Sequence, residues 1–331
     1  MAKQAGQKLK LLYLIQIFEE NTDENGHYLT LPQIQEKLKN MMHLDKEPDR
    51  KSLYDDIEVL RDDFGFDICD ERIGAKTYYY LGSRKFTIPD LRMMVDAIAS
   101  SKFLTEKKTK ELIKKLEDFC SPFERITLNR QITLANRVKS TNETIHYNVN
   151  DISNAIAENR KITFRYFSYD EKKERKFNKS TYKVSPWAMI YADDNYYLLA
   201  LDGDKFKHFR VDRMQGVGIT DEPREGEAGF KKMNMADYQK YTFNMYGGEI
   251  RNVTLQFQDK LMNVAIDRFG RDIIPTRVDD EHFKITVPVA ISRQFYGWIV
   301  GLGEGVKIIE PDNIKENMRD FLDGIQKMYE K

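Results

Sequence analysis

The stretch KFKHFRVDR, residues 205–213, gathers Lys207, His208, Arg210 and Arg213 on what reads as a single strand. Upstream, residues 160–183 (RKITFRYFSYDEKKERKFNKSTYK) hold nine Lys/Arg against three Asp/Glu, a local net charge of +6 in a chain whose 53 basic and 53 acidic residues cancel. With a neutral whole, only such local asymmetry can select an anionic partner. Cations hold phosphates, and the neighbouring rings of Tyr166, Tyr169, Tyr182, Tyr191, Tyr196 and Tyr197 offer faces on which bases stack, which is the chemistry of single-stranded nucleic acid or nucleotide binding. Period-two alternation sets Ile162, Phe164 and Tyr166 on one face of the first strand and His208, Arg210 and Asp212 on one face of the last. Tyr166, Lys183, His208 and Arg210 are therefore candidate ligand contacts. Arg213 falls on the apolar face, where it needs a partner or a place at the strand's end in water. The plain alternative is a solvated barrel, because runs such as KKERK are usually loops in water.

A second constellation lies near the amino end. In DRKSLYDDIEVL, residues 49–60, the apolar face is Leu53, Ile57 and Leu60, so Arg50, Lys51, Ser52 and Tyr54 point outward together from the first turns. Arg offers paired donors to guanine, while Lys, Ser and Tyr reach phosphates. Residues 1–85 carry 13 Lys/Arg against 16 Asp/Glu, a net of −3, so these acids must face away from any duplex.

Other chemistry finds little support. Cys69 and Cys120 form no CxxC and no Cys/His cluster, which argues against a zinc site and a disulfide framework. The lone histidines carry no catalytic spacing, and Asp193-Asp194 is ordinary turn chemistry. No catalytic residue, metal or cofactor is expected. No apolar run reaches the length needed to span a bilayer, and the amino end opens an amphipathic helix, so a cytoplasmic protein is expected.

The elements that must position these residues follow from periodicity. A helix over Lys8 to Glu20, a helix LPQIQEKLKNM capped by Thr30 with Gln33 three residues on, and the helix from Asp49 are followed by a hairpin, FDICDERIGAKTYYYLG, turning at Gly74. Three helices and a wing within 85 residues are the layout of a winged helix-turn-helix, whose third helix enters the major groove. Residues 86–120 read as a helical hairpin closed by Pro122. From about residue 150 a short helix, DISNAIAENR, leads into strands ITFRYF, YKVSPWAMIY, NYYLLALD and KFKHFRVDRM, a small all-β barrel or sandwich, and DEPREGEAG reads as a linker. The remainder, from RNVTLQF to the last helix, has the βαββαβ order of a ferredoxin-like domain.

NYYLLALD followed by HFRVDRM resembles the WYL-domain family of bacterial transcription regulators, with Tyr196-Tyr197-Leu198 standing where that family has Trp-Tyr-Leu and Pro186 extending the match. The amino end resembles the family's winged helix-turn-helix: DRKSLYDDI keeps Tyr54, Asp56 and Ile57 of a recognition helix that commonly reads S-x-R-T-[IV]-Y-R-D-I, and has Asp55 at the usual Arg. FYGWIVGLGEGVKIIEP, residues 295–311, resembles the carboxy-terminal extension that often follows a WYL domain. The resemblance implies an Sm-like barrel that senses a ligand, in some members nucleic acid, with Tyr197, Arg210 and Arg213 in its pocket.

The resulting expectation is a multidomain α+β chain: a winged helix-turn-helix over 1–85, a helical linker over 86–145, an Sm-like WYL barrel over 146–225 and a ferredoxin-like extension over 226–331. Its function would be that of a homodimeric regulator that binds a double-stranded DNA operator and is switched by an anionic effector, a nucleic acid or nucleotide. Two other classes stay open: a protein-interaction module, and a nucleotide-processing hydrolase using Asp193, Asp194 and Asp202, or Asp212, with a metal.

Overall fold

The computed structural model describes residues 2–130, 139–178, 181–233 and 248–330. The chain is mixed α and β with antiparallel sheets, and it divides into two compact units, Met1–Thr141 and Asn142–Lys331.

The first unit opens with α1 (Ala2–Asn21), β1 (Leu29–Thr30), α2 (Leu31–Met41), α3 (Arg50–Asp62), β2 (Ile68–Ile73) and β3 (Lys76–Leu81). Helix α2 begins where the sequence places its cap: the Thr30 N–H donates to Gln33 Oε1 at 2.7 Å. Asp49 opens α3 by accepting from the Ser52 N–H at 3.2 Å. Leu14, Ile17 and Phe18 of α1, Ile34 and Leu38 of α2, and Leu53, Ile57 and Leu60 of α3 form one core with Tyr79 and Leu81 of β3. The β2–β3 hairpin turns through Gly74 at φ +64, a conformation glycine adopts without strain, and β1 adds a third strand by pairing Leu29 with Tyr79. Helices α4 (Ile88–Ser100), α5 (Glu106–Leu116) and α6 (Pro122–Arg130) follow. Pro122 therefore starts a helix rather than only ending a hairpin, as proline's fixed φ suits a first turn.

The second unit begins with α7 (Ile145–Ala157), one turn and more before the expected DISNAIAENR. Then come β4 (Arg160–Tyr169), β5 (Arg175–Phe177), β6 (Tyr182–Ala192), β7 (Asn195–Asp202), β8 (Lys205–Arg210) and β9 (Met214–Pro223). The sheet runs β5-β4-β6-β7-β8, and β9 pairs with the free side of β4, so the sheet curls. Two expectations are corrected here. KFKHFRVDRM is not one strand, because a 3-10 turn over Val211–Arg213 ends β8 and starts β9 in a new direction. The linker reading of DEPREGEAG also fails at its start, since β9 runs through Pro223.

A short helix, α8 (Glu227–Lys231), lies against the β6–β7–β8 part of the sheet, with Phe230 stacked on Trp187 at 4.8 Å. Gly226, which opens it, has φ +94, a conformation that glycine adopts without strain and other residues rarely do, and a Cβ there would also push on Leu201 Cδ2 at 2.6 Å. The chain continues through β10 (Ile250–Gln258), α9 (Met262–Phe269), β11 (Thr276–Arg277), β12 (His282–Ala290), α10 (Arg293–Gly301), β13 (Val306–Glu310) and α11 (Asp312–Gln326). Its antiparallel sheet has the order β11-β12-β10-β13, over a core of Val253, Leu255, Phe257, Ile285, Phe295 and Ile299. The expected strand IIPTRV shrinks to two residues.

Within the first unit a polar contact ties the end of α1 to the start of α6. The buried Asp23 carboxylate receives the Ser121 hydroxyl at 3.0 Å and meets His27 Nδ1 at 2.9 Å, while the His27 ring lies flat on Phe123 at 3.6 Å. Arg84 donates to the Glu19 and Thr22 carbonyls at 2.7 and 2.9 Å and faces Glu124 at 3.6 Å. Burial alone would raise the Asp23 carboxyl, but hydrogen bonds from His27, the Asn25 N–H and Ser121 outweigh it and hold it below the usual carboxylate range. A depressed folded-state value adds stability above the unfolded carboxylate pKa, and that stability disappears as pH falls through the folded value. Asp23→Ala should thus destabilise the protein by on the order of 1–3 kcal/mol for the hydrogen bonds it strands. It should also flatten the loss of stability below about pH 4. Urea denaturation at neutral and acid pH checks both, and equal midpoints for variant and parent would show the contact to be dispensable.

Candidate nucleic-acid interface and anion site

At the start of α3 the four sequence candidates divide in two. Arg50 and Lys51 are exposed and form no ion pair among the described residues. Ser52 and Tyr54 have structural work: the Ser52 hydroxyl accepts from Lys10 Nζ at 2.9 Å, and Lys10, itself buried, pairs with Asp56. Tyr54 meets Tyr79 of β3 edge-on at 6.5 Å. Burial, then the hydrogen bond with Tyr54, pushes the Tyr79 hydroxyl well above the ordinary phenol range. Sequence reasoning missed the other half of this surface. Arg72 and Lys76 flank the Gly74 turn, exposed and again without an ion pair among the described residues. The base of the hairpin is fixed by Arg61 of α3, which donates to the Ile68 carbonyl at 2.6 Å and to Asp70 at 2.7 Å. A basic residue on each side of a hairpin glycine was the available signal.

In the second unit the structure brings Tyr166, Tyr197, Arg210 and Arg213 together around the end of β8. Arg210 faces Tyr197 across the β7–β8 ladder, and its backbone N–H donates to the Tyr166 hydroxyl at 3.1 Å. The guanidinium is already engaged: Nε and Nη2 donate to the two Asp212 oxygens at 3.0 and 2.9 Å, and Nη2 donates to Asn195 Oδ1 at 2.7 Å. Burial works against the Arg210 charge and the Asp212 carboxylate more than restores it. Burial likewise lifts the Tyr166 and Tyr197 hydroxyls, with Arg210 and Arg213 pulling the other way. Arg213 sits in the 3-10 turn, half-buried, so it is neither in a strand nor on an apolar strand face. Tyr166 belongs to an aromatic group with Phe164, Tyr182 and Phe209, at centroid distances of 6.3, 6.2 and 5.5 Å.

Lys183 is not part of this cluster. It follows Tyr182 on β6, points the other way, and pairs with Glu222 of β9 at 2.6 Å. Most of the +6 segment is similarly occupied: Lys161 pairs with Glu225 at 2.8 Å, Arg160 donates to the Asp221 carbonyl, and Arg165 and Arg175 lie over the rings of Phe177 and Phe167 at 3.6 and 4.7 Å. Lys179 lies outside the described residues. Lys172, Lys173 and Lys176, on the β4–β5 hairpin, remain exposed and form no ion pair among the described residues. The opposite charges that quiet the segment come from β9 and the residues just after it, 39 to 64 residues away in sequence, where local reading does not look.

His208 shares the Arg210 face of β8 but sits opposite Leu199, on the side where Ile190, Tyr197 and Phe230 pack. Burial pushes its imidazole down to about 4. It is therefore neutral at pH 7 and cannot serve as a cationic anchor. Between the unfolded value near 6.5 and the folded one, the unfolded chain binds the extra proton, so stability falls as pH drops through that window. The loss should reach on the order of 3 kcal/mol as an upper bound, and His208→Phe should remove it. Thermal melts from pH 7 to pH 4 measure this, and a parallel pH profile for the variant would contradict it.

The sequence matches the WYL domain over residues 147–219, which runs from α7 into β9, and the WCX domain over residues 249–325, which runs from just before β10 into α11. No curated protein matches. Among solved structures, the chain is similar to proteasome accessory factor B/C (PafBC) of Arthrobacter aurescens at 16% identity, covering 98% of this chain and 49% of that one, with a TM-score of 0.28. It is also similar to a CRISPR Cas-related protein at 12% identity, covering 98% and 84%, with a TM-score of 0.36. The chain thus spans about half the length of PafBC. At these scores the likenesses carry no structural argument. The two domain matches do, because each coincides with one of the two sheets of the second unit and its helices, and the first contains the Tyr-Tyr-Leu string together with Arg210 and its partners: the chain contains a WYL domain followed by a WCX domain.

Proposed function

We propose that the protein is a DNA-binding transcriptional regulator whose activity is switched by an anionic ligand at its WYL domain. The observation that carries the DNA-binding half is the set Arg50, Lys51, Arg72 and Lys76, four exposed cations without ion pairs among the described residues, at the start of α3 and the tip of the β2–β3 hairpin. A winged helix-turn-helix over residues 1–85 uses those two places, the helix start for the major groove and the wing for the neighbouring backbone. Residues 86–145 then serve as the helical linker. The order α7, curled strands, 3-10 turn, β9 supports reading 146–225 as an Sm-like barrel, and the strand order β11-β12-β10-β13 supports a ferredoxin-like extension over 226–331. One half-site offers few contacts, so a homodimer on a two-fold operator, in the cytoplasm, completes the proposal. The exposed Lys172, Lys173 and Lys176 of the β4–β5 hairpin, and separately Arg210 beside Tyr197 and Tyr166, favour single-stranded nucleic acid or a nucleotide as effector. Of the acids a metal-dependent hydrolase would need, Asp202 is paired with Lys207 at 2.8 Å and Asp212 with Arg210 at 2.9 Å, which favours the binding reading.

Two outcomes test this. In Arg50→Ala with Lys51→Ala, binding to the protein's own upstream DNA should weaken by about 1–3 kcal/mol for each base edge the truncated side chains no longer reach. In Arg72→Ala with Lys76→Ala, the slope of log affinity against log salt should shrink by about 0.9 for each phosphate that is no longer neutralised. Anisotropy titrations over a salt series read both, and unchanged affinity and slope in both pairs would remove this surface from the mechanism. At the WYL domain an entering anion has to replace Asp212 on Arg210. Asp212→Asn should therefore tighten binding of a short single-stranded oligonucleotide, and Arg210→Lys, which loses the paired donors, should weaken it while sparing operator binding. Equal oligonucleotide affinity in parent and both variants would make the Arg210 network purely structural.

A further inference from the structure

A cleft of about 420 Å³ lies in the carboxy-terminal part of the second unit, between α10, β13 and α11, and the DNA-binding proposal makes no use of it. That volume is within the roughly 300–1,000 Å³ of small-molecule sites. Its floor is built from Ile299 of α10 and from Val306 and Ile308 of β13, all buried. Its walls are Val300 and Leu322, which stay 40% and 43% exposed, with Met318 between them and the floor. Strand β13 is the edge of its sheet, and Gly303, at φ +60, puts no side chain across the opening. Two large aliphatic side chains left facing water across a gap are a surface that lacks an occupant.

The charges lining the cleft are all of one sign. Helix α11 presents Lys315, Met318, Arg319 and Leu322 at i, i+3, i+4 and i+7, one face carrying both the apolar wall and two cations. Lys307 adds a third cation from β13, and among the described residues no carboxylate lines the cleft. Lys315 is paired with Asp312 at 2.5 Å, whereas Lys307 and Arg319 form no ion pair among the described residues. Apolar floor, apolar walls and a cationic rim complement a molecule with a greasy body and one anionic head. A nucleic acid strand fits less well, because the enclosed surface is aliphatic and among the described residues no ring lines it for a base to stack on. We propose that this cleft binds a small amphiphilic anion, a carboxylate or phosphate on an aliphatic body, giving the protein a second ligand site apart from Arg210.

The test uses the full chain and three probes: anilinonaphthalene sulfonate as fluorescent reporter, with decanoate and decanol as competitors. Decanoate should displace the reporter and decanol should do so about ten-fold less well, because only the first has the head that Arg319 and Lys307 would hold. Leu322→Trp should abolish binding by filling the cleft, and Lys307→Glu with Arg319→Glu should weaken decanoate about ten-fold while leaving decanol unchanged. All three positions are exposed, so circular dichroism should show these variants folded. Arg210→Lys should have no effect on decanoate, which keeps this site distinct from the effector site of the proposed function. Equal competition by decanol and decanoate would overturn the headgroup assignment, and reporter binding unchanged in Leu322→Trp would overturn the site. Self-association of the parent that Leu322→Glu abolishes would show that a second copy of the chain covers the cleft instead.

Discussion

The half-buried charge of Arg210 has to be compensated where it stands, and much of the WYL domain is arranged by that requirement. Burial of a guanidinium is tolerable only with hydrogen-bonded counter-charge. Asp212 supplies it from two residues along, which is possible because the chain leaves the strand at Arg210 and coils through a 3-10 turn. The same turn sends β9 back along β4 to close the curl, with Asn142 and Asn148 donating to the Met214 carbonyl at 3.1 Å and tying α7 to the start of that strand. Asn195, at the start of β7, accepts a second bond from Nη2 and is held by its own amide to the Asp193 carbonyl at 2.7 Å. One ion pair thus joins three strands and a turn.

That pair also explains where period-two reading of the sequence succeeds and where it stops. Alternation places His208 and Arg210 on one face correctly, because β8 is regular up to Arg210. It cannot place Asp212 and Arg213, since a 3-10 turn rotates successive side chains by about a third of a revolution rather than half. The end of strand β9, Asp221-Glu222-Pro223, reads as the start of a linker because its acids and proline look like turn chemistry, and only pairing with β4 makes a strand of it. The amino helices are legible because their signals are local: Thr30 with Gln33, Asp49 with Ser52, and the Leu53, Ile57, Leu60 face.

The site residues show the same division. Exposure of Arg50 and Lys51 follows from helical spacing alone, but the engagement of Ser52 by Lys10 spans 42 residues and that of Tyr54 by Tyr79 joins a helix to a strand. His208 looks like an anchor in the sequence because histidine can be cationic. Its neutrality depends on packing against Leu199 and its neighbours, which composition does not reveal.

The β4–β5 hairpin acquires a particular meaning from the pairing of Lys161 and Lys183 with Glu225 and Glu222. Those pairs are close dipoles, and their field decays within a few ångströms of the surface. Lys172, Lys173 and Lys176, at and beside the hairpin's tip, share it with Arg175 and with Asp170, Glu171 and Glu174, so residues 170–176 keep a net charge of only +1, whose reach at physiological salt is about a Debye length of 8 Å. A polyanion approaching this hairpin would therefore feel little long-range attraction and would depend on direct contact with individual lysines. Under the proposed function, electrostatic steering would then add little to the association rate, and the dwell time set by the Arg210 network would carry most of the affinity.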